Sequence, residues 1–191
     1  MARVSNEELQ GLAIELGDKL RARGWMLATA ESCTGGWIGE VLTAIPGSST
    51  FYERGFITYA NAAKIELLGV PADTIDTYGA VSEETARAMA HGALTRSPVH
   101  AALSVSGIAG PGGGTREKPV GMVCYGWALN DGTLMSSTCR LDGDREEIRS
   151  RAVAAVERDA DDWAARFFGV LDGFRFLPGG RILAGAGTDR R

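Results

Sequence analysis

Residues 25–42 read WMLATAESCTGGWIGEVL, and this stretch decides the fold. An apolar run, Trp25–Ala30, stops abruptly at Glu31-Ser32-Cys33-Thr34-Gly35-Gly36. Trp37, Ile38, Val41 and Leu42 then recur at helical spacing. A short apolar run, a polar turn and an amphipathic stretch are the pattern of a buried strand feeding a helix. Such a turn gathers side chains and backbone N–H groups above the strand's carboxyl end. The helix N-terminus adds positive partial charge there, which suits an anion or an oxyanion. Ser32 and Cys33 both stand in the turn as possible nucleophiles.

Upstream, Ser5 to Arg23 forms an amphipathic helix, with Ser5 and Glu8 as a capping box, Leu9, Leu12, Ala13, Leu16 and Leu20 on one face, and Gly24 ending it. Downstream, Pro46-Gly47 breaks the second helix, and Phe51 to Tyr59 reads as a strand with Gly55 as a bulge. Asn61 is the expected N-cap of a helix that carries Lys64 and closes at Gly69. This places Lys64 in the first turn, where the positive end of the helix dipole lowers its pKa. Three lysines (Lys19, Lys64, Lys118) stand against seventeen arginines, so a lysine inside a motif is informative. Lysine can be tuned to lose its proton near neutral pH; arginine cannot. Tyr59 lies close by in sequence.

Ser82 to Arg96 is a further helix, with His91 outside its apolar stripe and assigned to the surface. His100 to Ser106 is a buried strand that runs into Gly107–Gly114, five glycines in eight residues. That loop lets backbone approach a ligand closely. It holds neither a G-x-G-x-x-G fingerprint nor a P-loop, and a plain surface loop stays an equal reading. Pro119 to Ala128 and Thr133 to Leu141 pair as a hairpin across Asn130-Asp131-Gly132. Asp144 and Glu147 cap a last helix, whose Arg145, Arg149, Arg151 and Arg158 are assigned to a solvated face, Arg145 being nearest a loop.

The totals bound the answer. The 191 residues carry a net charge of −4, with 45% hydrophobic and 23% charged residues. That is one ordinary globular domain, expected over residues 1–170, with a Gly-rich tail over 171–191. The tail could dock on a neighbouring subunit through Phe174, Phe176 and Leu177, and a homo-oligomer is expected. The charge argues against a nucleic-acid partner, and no apolar run suits a membrane. MARVSNEELQ lacks the apolar core of a signal peptide. Cys33, Cys124 and Cys139 have no metal spacing, so the chain reads as a reduced cytoplasmic protein with no metal. The element order predicts an α/β fold, a single three-layer α/β/α domain with a mixed sheet. Three turns would meet at the strand carboxyl ends: Glu31–Gly36, Tyr59–Lys64 and Ser106–Gly114. They supply a nucleophile, a tunable base, a phenol and glycine-rich backbone, the inventory for acyl transfer from an amide or ester.

TAESCTGG (29–36), ERGFITYANAAKIELLGV (53–70), GAVSEETA (79–86), SGIAGPGGG with KPVG (106–114 and 118–121) and GDREEIR (143–149) resemble the CinA C-terminal-domain family in its block order. The resemblance covers about residues 5–168. The molybdopterin-binding-like half of full-length CinA proteins lies outside it. Stand-alone members are nicotinamide-nucleotide amidases. The resemblance implies an α/β/α fold, conversion of nicotinamide mononucleotide and water to nicotinate mononucleotide and ammonia, and neither metal nor redox cofactor. It also implies a Ser–Lys pair at Ser32 and Lys64, assisted by Tyr59.

For substrate binding, the expected set is Thr34, Gly35, Gly36, Ser106, Gly107, Gly110, Gly112 and Arg145. Backbone N–H groups near Thr34–Gly36 or Ser106–Ile108 would hold an oxyanion, and Gly110–Gly114, Thr34 and Arg145 are the candidates for the substrate phosphate, among which the sequence does not choose. Cys33 is the rival nucleophile, but neither His91 nor His100 lies in a motif as its partner. Cys124 and Cys139 read as apolar hairpin residues. A Ser–Lys hydrolase of another amide or a peptide is a second reading, although Ser32 lacks the S-x-x-K spacing. A non-catalytic nucleotide-binding accessory protein linked to competence or DNA repair is a third. An interaction protein working through its tail is a fourth.

Overall fold

The computed structural model describes residues 3–155, 175–177 and 181–183. The helices among them are α1 (Asn6–Arg23), α2 (Trp37–Thr43), α3 (Asn61–Leu68), α4 (Ala72–Tyr78), α5 (Glu83–Thr95) and α6, which occupies 145–155. The strands are β1 (Leu27–Glu31), β2 (Tyr52–Ile57), β3 (Ala101–Gly107), β4 (Met122–Leu129) and β5 (Leu134–Arg140), then β6 (Arg175–Leu177) and β7 (Arg181–Leu183). The main sheet runs β2-β1-β3-β4-β5, with β2, β1 and β3 parallel and β4 and β5 antiparallel. It is the expected mixed sheet between two helical layers. β6 and β7 pair as a separate two-stranded ladder. The expected docking through Phe174, Phe176 and Leu177 rests on side chains outside the described residues.

Alternation along the strands divides the core. Leu27, Leu103, Val105, Val123, Tyr125 and Trp127 pack with α1, α2 and α6 residues such as Leu9, Leu42 and Ile148. The other face is built of small residues, including Ala28, Ala30 and Ala102, under Met89 and Ala93 of α5 and Leu68 of α3. Smallness lets α5 sit very close. A Cβ at Gly126 would lie 2.3 Å from the Ala86 carbonyl oxygen, and one at Gly92 would lie 2.1 Å from that of Leu68.

Several boundaries move from their sequence positions. Glu31 belongs to β1 and not to the turn, and is 1% exposed. The cap of α3 is Ala60 in extended backbone, not Asn61, and it makes no side-chain capping bond. The irregularity in β2 falls where Leu27–Ala28 faces Tyr52–Arg54, so Glu53 is the extra residue and Gly55 is in register. Gly55 is instead required by close packing: a Cβ there would meet the Tyr52 hydroxyl at 2.5 Å and Thr29 Oγ1 at 2.8 Å. Helix α4 was not anticipated, because seven residues bury only Ile75 and leave no helical stripe to read. His100 precedes β3; its Nδ1 accepts the Met26 N–H at 3.0 Å and its ring stacks on Trp25. Among the described residues no helix is long and apolar enough to cross a membrane.

Candidate active site

Because β2, β1 and β3 are parallel neighbours, the turns that follow them lie side by side. Two backbone bonds extend the ladders beyond the strands: Ser32 N–H donates to Val105 O at 3.0 Å, and Thr58 N–H to Glu31 O at 2.8 Å. Ser32 therefore stands in the middle of the three turns. It is 7% exposed.

Lys64 arrives from α3 and is 1% exposed. Its Nζ lies 3.0 Å from Ser32 Oγ, 2.8 Å from Thr58 O and 3.3 Å from Tyr59 O. Burial holds the Lys64 pKa below the ordinary lysine range. Desolvation, and not the helix dipole expected from the sequence, is the cause of that lowering. An opposing pull would come from a Cys33 thiolate. That thiol is itself pushed up to about 12 by burial, so it is neutral near pH 7 and exerts no such pull. A free amine has two N–H groups and one lone pair. The Thr58 and Tyr59 carbonyls can take both N–H groups, which leaves the lone pair for the Ser32 hydroxyl proton.

Cys33 faces the other way. It is 6% exposed and packs in the larger core cluster, and a Cβ at Gly107 would touch its Sγ at 3.1 Å. A thiol with so high a pKa is a poor nucleophile.

Glu31 governs the rest of the turn. One carboxylate oxygen accepts from Thr34 Oγ1 at 2.7 Å and from the amides of Gly36 and Ile38 at 3.0 Å each. The other accepts from Gly39 N–H at 2.8 Å. The N-terminus of α2 is thus satisfied by a side chain of its own chain, and the external anion expected there has no vacancy. Gly35 N–H donates to Ser32 O at 3.1 Å. Among the described residues, the Cys33 and Thr34 amides of the turn donate to no oxygen acceptor, the Cys33 N–H facing its own Sγ. A strained conformation explains the paired glycines, with φ of +66° at Gly35 and +98° at Gly36.

The third turn joins through Arg145, which donates to Gly110 O at 2.8 Å and to the Tyr59 hydroxyl at 2.9 Å. Arg145 thereby ties β3's glycine loop to the end of β2. The Tyr59 ring is 60% exposed, and the Lys64–Ser32 contact is direct without its phenol. Tyr59 touches Lys64 through its carbonyl. Ser106 donates to Ala80 O at 2.7 Å, so its hydroxyl braces the turn before α5. Gly107 ends β3 against Val123, while a Cβ at Gly112 would meet open space. Lys118 donates to Tyr78 O and to Val81 O, stapling the far end of the glycine loop to the same turn.

Arg149 was assigned to a solvated face and is not there. Its Nε donates to Cys33 O at 3.0 Å and its Nη2 to Thr34 O at 2.7 Å. The spacing of four from Arg145 puts both on one helix face, the only signal the sequence offered. Beside them an open groove of about 510 Å³ is lined by Arg3, Asn6, Thr34–Trp37, Glu40 and the start of α6. Ser32 and Lys64 do not line it.

A buried lysine on a serine, with backbone amides alongside, is the geometry of an acyl-transfer hydrolase. The chain belongs to the CinA C-terminal domain family, whose model it matches over residues 9–158. It is 50% identical over 149 residues to the nicotinamide-nucleotide amidohydrolase PncC of Enterobacter agglomerans, covering 78% of this chain and 91% of that protein. Against the protein of the same name from Escherichia coli K12 the identity is 46% over 151 residues, covering 79% and 92%. Among solved structures, the competence/damage inducible protein CihA from Agrobacterium tumefaciens superposes with a TM-score of 0.79 at 43% identity, covering 85% of this chain and 98% of that one.

Proposed function

We propose that the protein is a nicotinamide-nucleotide amidase, a hydrolase that converts nicotinamide mononucleotide and water to nicotinate mononucleotide and ammonia. The observation that carries the chemistry is the direct contact between a buried Lys64 and Ser32. Substrate identity is supported by relatives of that name, which the chain matches over nearly their whole length.

In this reading neutral Lys64 takes the Ser32 proton as Oγ attacks the carboxamide carbon. The carbonyl electron pair moves to oxygen, where the Cys33 and Thr34 amides stabilise it. The pyridinium charge makes that carbon more electrophilic. Lys64 then returns its proton to the amide nitrogen, the C–N bond breaks and ammonia leaves. Water, deprotonated by Lys64, attacks the Ser32 ester; its C–O bond breaks and Ser32 recovers a proton. Arg145 and Tyr59, paired at the rim, take the nucleotide end, with Gly110–Gly114 beside them. Residues 1–170 constitute the amidase domain, and the enzyme acts in the cytoplasm as a homo-oligomer.

The test is ammonia release from nicotinamide mononucleotide by purified protein, with and without EDTA. Release that is indifferent to EDTA, lost in Ser32→Ala and Lys64→Met and kept in Cys33→Ala supports the proposal. Loss in Cys33→Ala with persistence in Ser32→Ala moves the nucleophile by one residue. No release by folded wild type sinks the substrate and favours nucleotide binding without catalysis.

A further inference from the structure

We propose that Arg149 is a positioning residue for the oxyanion amides of the Ser32 turn, an inference that rests on the Ser32 reading above. Its guanidinium holds two consecutive carbonyls, Cys33 O at 3.0 Å and Thr34 O at 2.7 Å. A trans peptide is planar, with C=O and N–H antiparallel. Holding Cys33 O therefore fixes the direction of the Thr34 N–H. Holding Thr34 O likewise fixes the Gly35 N–H, which closes the turn onto Ser32 O at 3.1 Å. Arginine suits this task because its planar fork presents donors in a fixed geometry. A cation on the carbonyl oxygens also polarises both peptide units, so their N–H groups become stronger donors.

The base of this clamp is rigid. Asp144 and Glu147 cap α6 reciprocally, at 2.8 and 2.9 Å. Ile148 and Ala152 to Ala154 are buried within the core. Trp37 lies beneath the guanidinium, 5.4 Å from ring centroid to Cζ. From the opposite side Glu31 holds Thr34 Oγ1 and the Gly36 amide. The Thr34 amide lies between the two carbonyls that Arg149 holds, with the Cys33 amide one peptide before it and the Glu31 grip just after it. Glu31 and Arg149 thus divide the backbone polar groups of the turn between them, one taking donors and the other acceptors.

The experiment is steady-state deamidation of nicotinamide mononucleotide by wild type, Arg149→Lys, Arg149→Met and Arg149→Ala, with thermal unfolding of each. In the Met and Ala variants kcat should fall about 100-fold, the scale of one oxyanion donor, while KM stays within about threefold. The pH midpoint of kcat/KM should stay in place, Arg149→Lys should be intermediate, and added guanidinium ion should restore part of the rate to Arg149→Ala. A rise in KM with kcat unchanged would overturn the proposal and make Arg149 a ligand contact in the adjoining groove. A kcat loss that guanidinium does not restore and that tracks a lowered Tm would overturn it as mere fold maintenance. Ser32→Ala, run in parallel, separates the two readings. An active Ser32→Ala defeats the Ser32 assignment itself, whereas an inert Ser32→Ala beside a fully active Arg149→Met defeats the Arg149 role alone.

Discussion

Lys64 is buried among three oxygens, and its protonation state decides what it can do there. As an ammonium it donates to Ser32 and to both carbonyls; as an amine it donates to the carbonyls and accepts from Ser32. Only the amine is a base. Because burial lowers its pKa, the base form persists below the ordinary lysine value of about 10.4. Deamidation should accordingly rise with pH through a single ionisation lying below that value and level off above it, which a kcat/KM profile will locate. Lys64→Met should lose about 10²–10⁴-fold in kcat, the range of a general base. The same shift has a stability consequence. Between the folded and unfolded pKa the unfolded chain binds more protons, so stability rises with pH in that window. Denaturant unfolding should show this rise in the difference between wild type and Lys64→Met, because the raised pKa values of the buried Cys33, Cys124 and Tyr52 act in the opposite sense in both chains and cancel. Cys33 stays a neutral thiol up to about pH 12 and so adds nothing to the activity profile, but in unfolding it acts in the opposite sense, since its raised folded pKa makes stability fall as pH climbs above the free thiol value of 9.0.

At the scale of elements, the short helix α2 depends on one side chain from the strand before it. Glu31 accepts three backbone amides and the Thr34 hydroxyl. Glu31→Ala would leave these donors unsatisfied in the interior. The expected loss is about 2–4 kcal/mol, measured by urea unfolding, together with loss of deamidation because the Ser32 turn loses its inner grip. The sequence made Ser32, Lys64 and the two glycines legible, since each breaks an apolar or helical pattern at a turn. It did not reveal Glu31 as a cap. A carboxylate at the edge of a polar turn looks solvated, and only the sheet's third dimension buries it. Arg149 was missed for a related reason: helical spacing tells which arginines share a face but not what that face meets. Helix α4 was missed because its single buried Ile75 carries no period. The close seat of α5 was not read from the sequence, where the small residues of 100–106 showed only that the strand is buried. Gly126→Ala should test it: a methyl 2.3 Å from the Ala86 oxygen forces α5 outward, at about 1–3 kcal/mol.

Over the whole molecule, the order β2-β1-β3 does what no local motif can. It sets Ser32, separated by 32 residues from Lys64, between Lys64's helix and the glycine loop, and α6 then closes the arrangement through Arg145 and Arg149. Every polar contact named around Ser32 comes from residues 31–149, and the family match ends at 158. Among the described residues, the polar groups around Ser32 thus lie within the family-matched segment. A chain ending at residue 170 should deamidate nicotinamide mononucleotide with kcat and KM within about twofold of the full chain, since the family match ends at residue 158, before the tail begins. Its mass in solution, measured alongside by light scattering, tests the separate expectation that the tail docks on a second subunit. A smaller assembly with unchanged kinetics would assign the tail to association alone. A smaller assembly with a raised KM would mean that the site borrows from its neighbour, and the single-chain account of substrate binding would fail.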